Sequence, residues 1–378
     1  TVGWFTTAWP VVMETNLELN RHKFHSILRL VKDARRAVPT KGWAYFTSRY
    51  LNPDGRRVFR QRYPMEIIFN YAGEFQQLEH TNGLFATESH EAQGALDADG
   101  DIQRFGIFEV SASVQNGGLR VQLVYPRQIQ HADLIIEWVK TYQATLENAA
   151  SQLQLATQKK NHTRYTLSDF PLLPSLTYVQ LEELVLTTLP AAGISMDNVE
   201  EIYPCSPSQH GMLIAQAKAA NSYNASVTWK IQCSVDGKRR AADPQRLYAA
   251  CSQVIRRHAA LRTVFVDSPR SDSYMEQVVL RHVPTEAVVT HTMLSGSSPL
   301  LPHALTEGWP KGQLMHRMNM CQWKNNGEEE VMIRLDMSHA IMDRTTMQII
   351  ERDLCLAYEG KLFPGRGPLF SDYVSYIE

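Results

Sequence analysis

The run from Val331 to Tyr358 constrains the fold more than any other part of this chain, because a strand hands over to a helix inside it. Val331 to Met337 is mostly apolar and reads as a strand, and Thr346 to Tyr358 reads as an amphipathic helix with Met347, Ile350, Leu354 and Ala357 on its inner face. An α/β architecture follows. The junction carries Ser338-His339-Ala340-Ile341-Met342-Asp343. An imidazole changes charge near neutral pH and can accept a proton or hold a nucleophile, which is what acyl transfer to an amine or alcohol requires. Two jobs are open to Asp343: orienting the imidazole, or facing away and fixing the loop through an arginine. With 13 histidines and 39 carboxylates in the chain, His-x-x-x-Asp pairs also arise by chance, so this motif needs company.

At 378 residues and 44% hydrophobic content, the chain is long enough for two compact units with real cores. Lys plus Arg is 38 against 39 for Asp plus Glu, which gives no electrostatic reason to invoke nucleic acid or an anionic membrane and favours neutral substrates or protein partners. Cys205, Cys233, Cys251, Cys321 and Cys355 are odd in number and contain no C-x-x-C pair, which argues against a disulfide framework and a zinc site. A reducing cytoplasmic setting is the expectation. No segment approaches the roughly 20 consecutive apolar residues of a membrane helix. The chain starts at Thr1 on a hydrophobic stretch and reads as a piece of something longer.

The first part, to about residue 155, reads as mixed α/β. Phe24, Ile27, Leu28 and Val31 recur at helical spacing, and Glu66 to Tyr71 is a short strand candidate. Phe105 to Val114 and Leu119 to Tyr125 form a predicted hairpin across Asn116-Gly117-Gly118, residues that tolerate positive φ. Leu134, Ile135, Trp138, Val139, Tyr142 and Leu146 then outline a long amphipathic helix. Residues 156–198, broken by Pro171, Pro174 and Pro190, read as a linker whose apolar residues Phe170, Leu172 and Leu173 lie against a surface. From Val199 a second α/β unit begins. Its expected elements are helices Ser208 to Ala217 and Gln245 to Arg257, and strands Ser226 to Cys233, Arg262 to Asp267 and Gln277 to Leu280. The acidic segment Glu88 to Asp101 reads as a solvated loop, since its carboxylates do not complete a calcium-loop spacing.

Four separated motifs of the second unit supply that company. Ser206-Pro207-Ser208-Gln209-His210-Gly211-Met212-Leu213, Arg257-His258-Ala259-Ala260-Leu261-Arg262-Thr263-Val264-Phe265, Met337 to Asp343, and Phe370-Ser371-Asp372-Tyr373 to Tyr376 stand in the order of the opening motifs of condensation domains of nonribosomal peptide synthetases, which they resemble. In the first unit, Thr1-Val2-Gly3-Trp4-Phe5-Thr6 with Pro10, the degenerate Pro39 to Tyr45, and Phe69-Asn70-Tyr71-Ala72-Gly73 are similar to late motifs of epimerization domains. The resemblance implies residues 1–155 as the rear lobe of one epimerization- or condensation-like domain and residues 199–378 as the front lobe of the next. Each lobe is expected to be chloramphenicol-acetyltransferase-like, mixed sheets with packed helices, with residues 156–198 joining them.

By the same resemblance His339 is the catalytic residue, working between substrates presented on the phosphopantetheine arms of peptidyl carrier domains, with no cofactor bound directly. Asp343 is implied as the ion-pair partner of Arg262, locking the loop. Ser338, where the family pattern has a first histidine, is a packing or hydrogen-bonding position. Arg344 replaces the usual glycine at the acceptor side of the tunnel, where a guanidinium is large and always charged. With Thr346 it gives a Ser-His-x-x-x-Asp-x-x-Thr form that resembles fungal terminal domains releasing peptides by cyclization. Asn70 and Tyr71 match tunnel-lining positions. The expected function is acyl transfer from a peptidyl thioester, forming amide or ester, with closure of a macrocycle and release as its narrower form. The alternative is a catalytically incomplete boundary fragment that only docks carrier proteins. A stand-alone acyltransferase with a coenzyme A donor is a third, disfavoured by the four motifs. No adenylation motif and no Gly-Gly-x-Ser carrier motif is present, so those partners are neighbouring synthetase domains.

Overall fold

The computed structural model describes residues 8–12, 24–62, 67–74, 106–115, 117–159, 163–235, 238–293, 308–325 and 328–377. The Thr1 to Thr6 motif and the Glu88 to Asp101 segment lie outside these residues. The chain forms two compact units, residues 1–27 with 34–154, and residues 28–33 with 155–378.

The first unit contains most of α1 (Phe24–Arg36), then α2 (Trp43–Phe46), α3 (Pro53–Arg62), β1 (Ile67–Glu74), β2 (Phe108–Gln115), β3 (Gly118–Val124) and most of α4 (Ala132–Lys159). β1 runs parallel to β2, with Asn70 opposite Ser111 and Tyr71 opposite Ala112, and β2 pairs antiparallel with β3. The hairpin turns at Gly117, whose φ of 74° is the left-handed conformation that glycine adopts without a Cβ penalty. Val110, Ala112 and Ile135 are buried, and Phe108 meets Trp138 with ring centroids 5.7 Å apart. The predicted apolar stripe of α4 is only partly used: Leu134, Trp138, Val139 and Tyr142 remain exposed.

The second unit contains α5 (Tyr178–Glu183), α6 (Leu189–Ala191), β4 (Val199–Pro204), α7 (Pro207–Lys218), β5 (Asn224–Lys230), β6 (Gln232–Val235), β7 (Lys238–Ala241), α8 (Pro244–Arg257), β8 (Thr263–Asp267), β9 (Met275–Leu280), β10 (Val289–Met293), β11 (His316–Asn325), β12 (Glu328–Ser338), α9 (Arg344–Tyr358) and α10 (Phe370–Ile377). Its larger sheet has the order β10-β11-β12-β5, and a second has the order β4-β9-β8. Leu247, Cys251, Val254 and Ile255 of α8 and Ile350, Leu354 and Ala357 of α9 belong to one core with Met318, Met320, Ile333, Leu335 and Met337 of β11 and β12. Burial of each leucine, isoleucine, valine or methionine among them contributes about 1.5–3 kcal/mol.

The segment read as a linker is a structural part of this unit. Phe170, Leu173, Leu176, Leu181, Leu184, Leu189 and Ile194 are buried in one cluster with Val199, Ile202, Val264, Val266 and Val278. Pro171 and Pro174 stand in its turns and Pro190 in the first turn of α6, where no backbone N–H is required, so they shape this packed segment instead of loosening it. Residues 28–33 of α1 also count with this unit. Arg29 donates to Glu182 at 3.0 Å and to the Thr163 carbonyl at 2.7 Å, Lys32 meets Asp169 at 2.6 Å, and Asp33 accepts from the Ser168 N–H and the Tyr178 hydroxyl. Arg29 is the buried residue of α1, while Leu28, read as part of its apolar face, is exposed.

Candidate active site

β12 ends at Ser338 and α9 begins at Arg344, so His339 to Asp343 form the turn between a buried strand and the first turn of a helix. The turn is held almost entirely through its backbone. The Ser338 N–H donates to the Met315 carbonyl at 2.9 Å, the His339 N–H to the Tyr223 carbonyl at 2.8 Å, and the Ile341 N–H to the Ser338 carbonyl at 3.2 Å. The Ala340 N–H donates to Ser338 Oγ at 3.0 Å, and the Ala340 carbonyl accepts from Gln209 Nε2 at 2.8 Å. Around this framework Ala340, Ile341 and Met342 are buried and His339 is half-buried. With its backbone committed, the imidazole makes no hydrogen bond to any described residue.

Ser338 is fully buried, and its hydroxyl also meets the Gln216 side chain, with Gln216 Nε2 at 2.9 Å. Asp343 is exposed and caps α9: one carboxylate oxygen accepts from the Thr346 backbone N–H at 2.7 Å and from Thr346 Oγ1 at 2.7 Å, and the Asp343 N–H returns a bond to Thr346 Oγ1. That is a reciprocal capping box. The Thr346 backbone N–H, more than any other group, holds the Asp343 carboxyl below its ordinary range. Arg344 occupies the first helical position and is exposed.

The predicted Asp343–Arg262 pair does not form. Arg262 is buried with its side chain 3% exposed and donates to Glu200 at 2.7 Å and to the Leu280 carbonyl, while Arg366 takes the other Glu200 oxygen. A buried guanidinium needs a carboxylate desolvated with it, and Glu200 at 7% exposure meets that need where exposed Asp343 does not. Asp343 instead takes the donors that its own helix places three residues on. Asn70 and Tyr71 lie in the first unit on β1, both exposed.

Four residues that the sequence did not single out surround the turn: Gln209, Gln216, Tyr223 and Asn224. Gln209 was legible in part, since Ser206-x-x-Gln209 is a capping-box spacing and the structure contains that box. Its side chain is shared between the cap, Gln277 and Ala340. The other three carry no local signal. A second buried cluster fixes α9 against α8: Asp353 accepts from Arg257 Nε at 3.0 Å and pairs with His258 Nε2 at 2.9 Å.

Residues 199–378 match the family model described as "Condensation domain". The whole chain is 53% identical over 381 residues to the nonribosomal peptide synthetase fmqA of Aspergillus fumigatus, of which it covers 9%, and 38% identical over 382 residues to the nonribosomal peptide synthetase ungA' of Aspergillus campestris, of which it covers 4%. It therefore spans less than a tenth of the length of these relatives. The solved condensation domain of the Monacolin K polyketide synthase MokA aligns with 47% of this chain and 39% of its own at a TM-score of 0.34 and 17% identity.

Proposed function

The chain belongs to the nonribosomal peptide synthetases and carries their condensation domain over residues 199–378, and from that premise we propose that it transfers a peptidyl group from a carrier-bound thioester to a nucleophile, with His339 at the reacting centre. The nucleophile nitrogen, or a hydroxyl oxygen in an ester-forming case, attacks the thioester carbonyl. The new C–N or C–O bond forms, the C–S bond breaks, and the donor arm leaves as a thiol. His339 takes the proton that the nucleophile loses and returns it to the departing sulfur, or holds the nucleophile in line; both uses need an imidazole whose nitrogens are not already spent. The observation that carries this reading is that ring, half-buried on a turn fixed by its backbone and hydrogen-bonded to no described residue. Carrier domains bringing phosphopantetheine arms are its partners, with no cofactor of its own.

Peptide release by cyclization is a narrower form of the same chemistry. Arg344 at the start of α9 favours it, by placing a permanent charge where the family pattern has glycine. Thr346 does not add to it, because its side chain is occupied in the Asp343 cap. The test is His339→Ala in the intact parent synthetase with loaded carriers. Product formation falls by roughly 10²–10⁴ while the thermal midpoint stays put. Wild-type turnover in that variant would leave only the docking-scaffold reading. Linear acid or unchanged thioester as the sole wild-type outcome would remove cyclization.

A further inference from the structure

Tyr223 sits at φ 52°, in the left-handed region that a bulky aromatic rarely adopts. Its ring is half-exposed, so packing of the ring does not account for the strained backbone. What the conformation delivers is a carbonyl: Tyr223 O accepts the His339 N–H at 2.8 Å and Gln216 Nε2 at 3.2 Å. Strained backbone of this kind persists where its surroundings over-determine it.

Here the surroundings are a closed polar knot. Gln216 Nε2 also lies 3.1 Å from Asn224 Oδ1 and 2.9 Å from Ser338 Oγ. Asn224 Oδ1 accepts from Trp309 Nε1 at 2.8 Å, and Asn224 Nδ2 donates back to the Ala220 carbonyl at 2.9 Å, closing the turn that contains Tyr223. Because the Tyr223 carbonyl is purely an acceptor, and Asn224 Oδ1 likewise, the Gln216 amide must present its nitrogen to them, which fixes its orientation. Asn224 is also the register partner of Ser338, so the knot joins the first residue of β5 to the last residue of β12.

Gln216 stands two turns along α7 from Gln209, on the same helical face, with Leu213 between them. Gln209 holds the Ala340 carbonyl, while Gln216 reaches Ser338 and the acceptor of the His339 N–H. One helix face thus grips the turn on both sides of His339. We propose that α7 is the positioning element of the site, and that Gln216, through the Tyr223 carbonyl and Ser338, is a positioning residue for His339. The proposal rests on the acyl-transfer reading for its effect on rate, but the clamp itself is a claim about the His339 backbone.

The test uses Gln216→Met in the intact synthetase, with Gln216→Glu beside it to keep the size of the side chain while removing its donor hydrogens. Both lower kcat by roughly a hundredfold, the loss expected when a reacting group is displaced by about 1 Å, and leave KM for the loaded carrier unchanged. In a His339→Ala background Gln216→Met causes no further loss, because the two act as one unit. Amide hydrogen exchange at His339 and Ala340 rises at least tenfold in Gln216→Met with exchange in α9 unaltered. A full wild-type rate, or the same fold-loss with and without His339, overturns the proposal. If His339→Ala proves fully active, the acyl-transfer reading falls; unchanged exchange at His339 in Gln216→Met would then sink the clamp as well, and raised exchange would sustain it.

Discussion

Arg262 and Asp343 were expected to be two ends of one contact, and they use charge in opposite ways. At the Arg262 corner a guanidinium is taken out of water and needs a counter-charge taken out with it: Glu200 provides that, with the Leu280 carbonyl and Arg366 completing the arrangement. At the Asp343 turn the carboxylate stays in water and spends its lone pairs on the nearest helix donors. The lesson is one of distance along the chain. A carboxylate standing just ahead of a helix meets an N–H three residues away at almost no entropic cost, and a remote arginine has to compete with that.

The largest expected effect is at the buried corner. Arg262→Met leaves Glu200 with only the exposed Arg366 and should cost about 3–5 kcal/mol, read from the urea midpoint. Arg262→Met combined with Glu200→Gln should recover part of that loss. A cost below about 1 kcal/mol for the single variant would mean that the corner behaves like an exposed pair, and the contrast with Asp343 would vanish.

His316 sharpens the comparison as a buried ring with no carboxylate. It is 1% exposed at the start of β11, opposite Met337 in register, and neither ring nitrogen has a described partner. Burial pushes its pKa down to about 4. The folded value lies below the unfolded one, so the stability kept by the neutral ring is complete above about pH 6.5. It is lost as the pH falls toward 4, at about 1.4 kcal/mol per pH unit. Relative to wild type, His316→Leu should therefore gain steadily in stability from pH 6.5 to 4. A difference between the two that does not change with pH would show a ring already charged or partnered.

The smallest effect belongs to the exposed carboxylate. Asp343→Ala should cost about 1 kcal/mol and Asp343→Ser much less, because the cap needs an oxygen acceptor more than a charge. Hydrogen bonding lowers the folded carboxyl pKa, so this contribution is present above the unfolded value of about 3.9 and fades as pH falls through the folded one. Equal losses for Ala and Ser would place the charge itself, and so a distant cation, back in the account.

Elements with strong periodicity were legible. α9 has its predicted inner residues Ile350, Leu354 and Ala357 buried, and the β2–β3 hairpin turns at the predicted glycine. β11 gives little strand signal although Met318 and Met320 alternate with Arg317 and Asn319 along it, because it is poor in β-branched residues and asparagine is depleted in strands. The expected strand from Ser226 to Cys233 is broken at Ile231 into β5 and β6. Around His339 the apolar frame was readable and the polar one was not: a tyrosine in the left-handed region and an amide shared among three acceptors depend on chain segments far apart in sequence. α4 shows the converse limit, since Trp138 and Tyr142 fit a helical stripe yet stay exposed.

The placement of residues 28–33 bears on any attempt to shuffle such modules. A recombinant fusion joined near residue 155 would carry Tyr178, Ser168 and the Thr163 carbonyl into the new protein but leave Asp33 and Arg29 behind. The transplanted piece would begin life with a missing buttress, and its yield would fall for reasons unrelated to the chemistry being engineered. Supplying the α1 segment alongside it is the natural remedy.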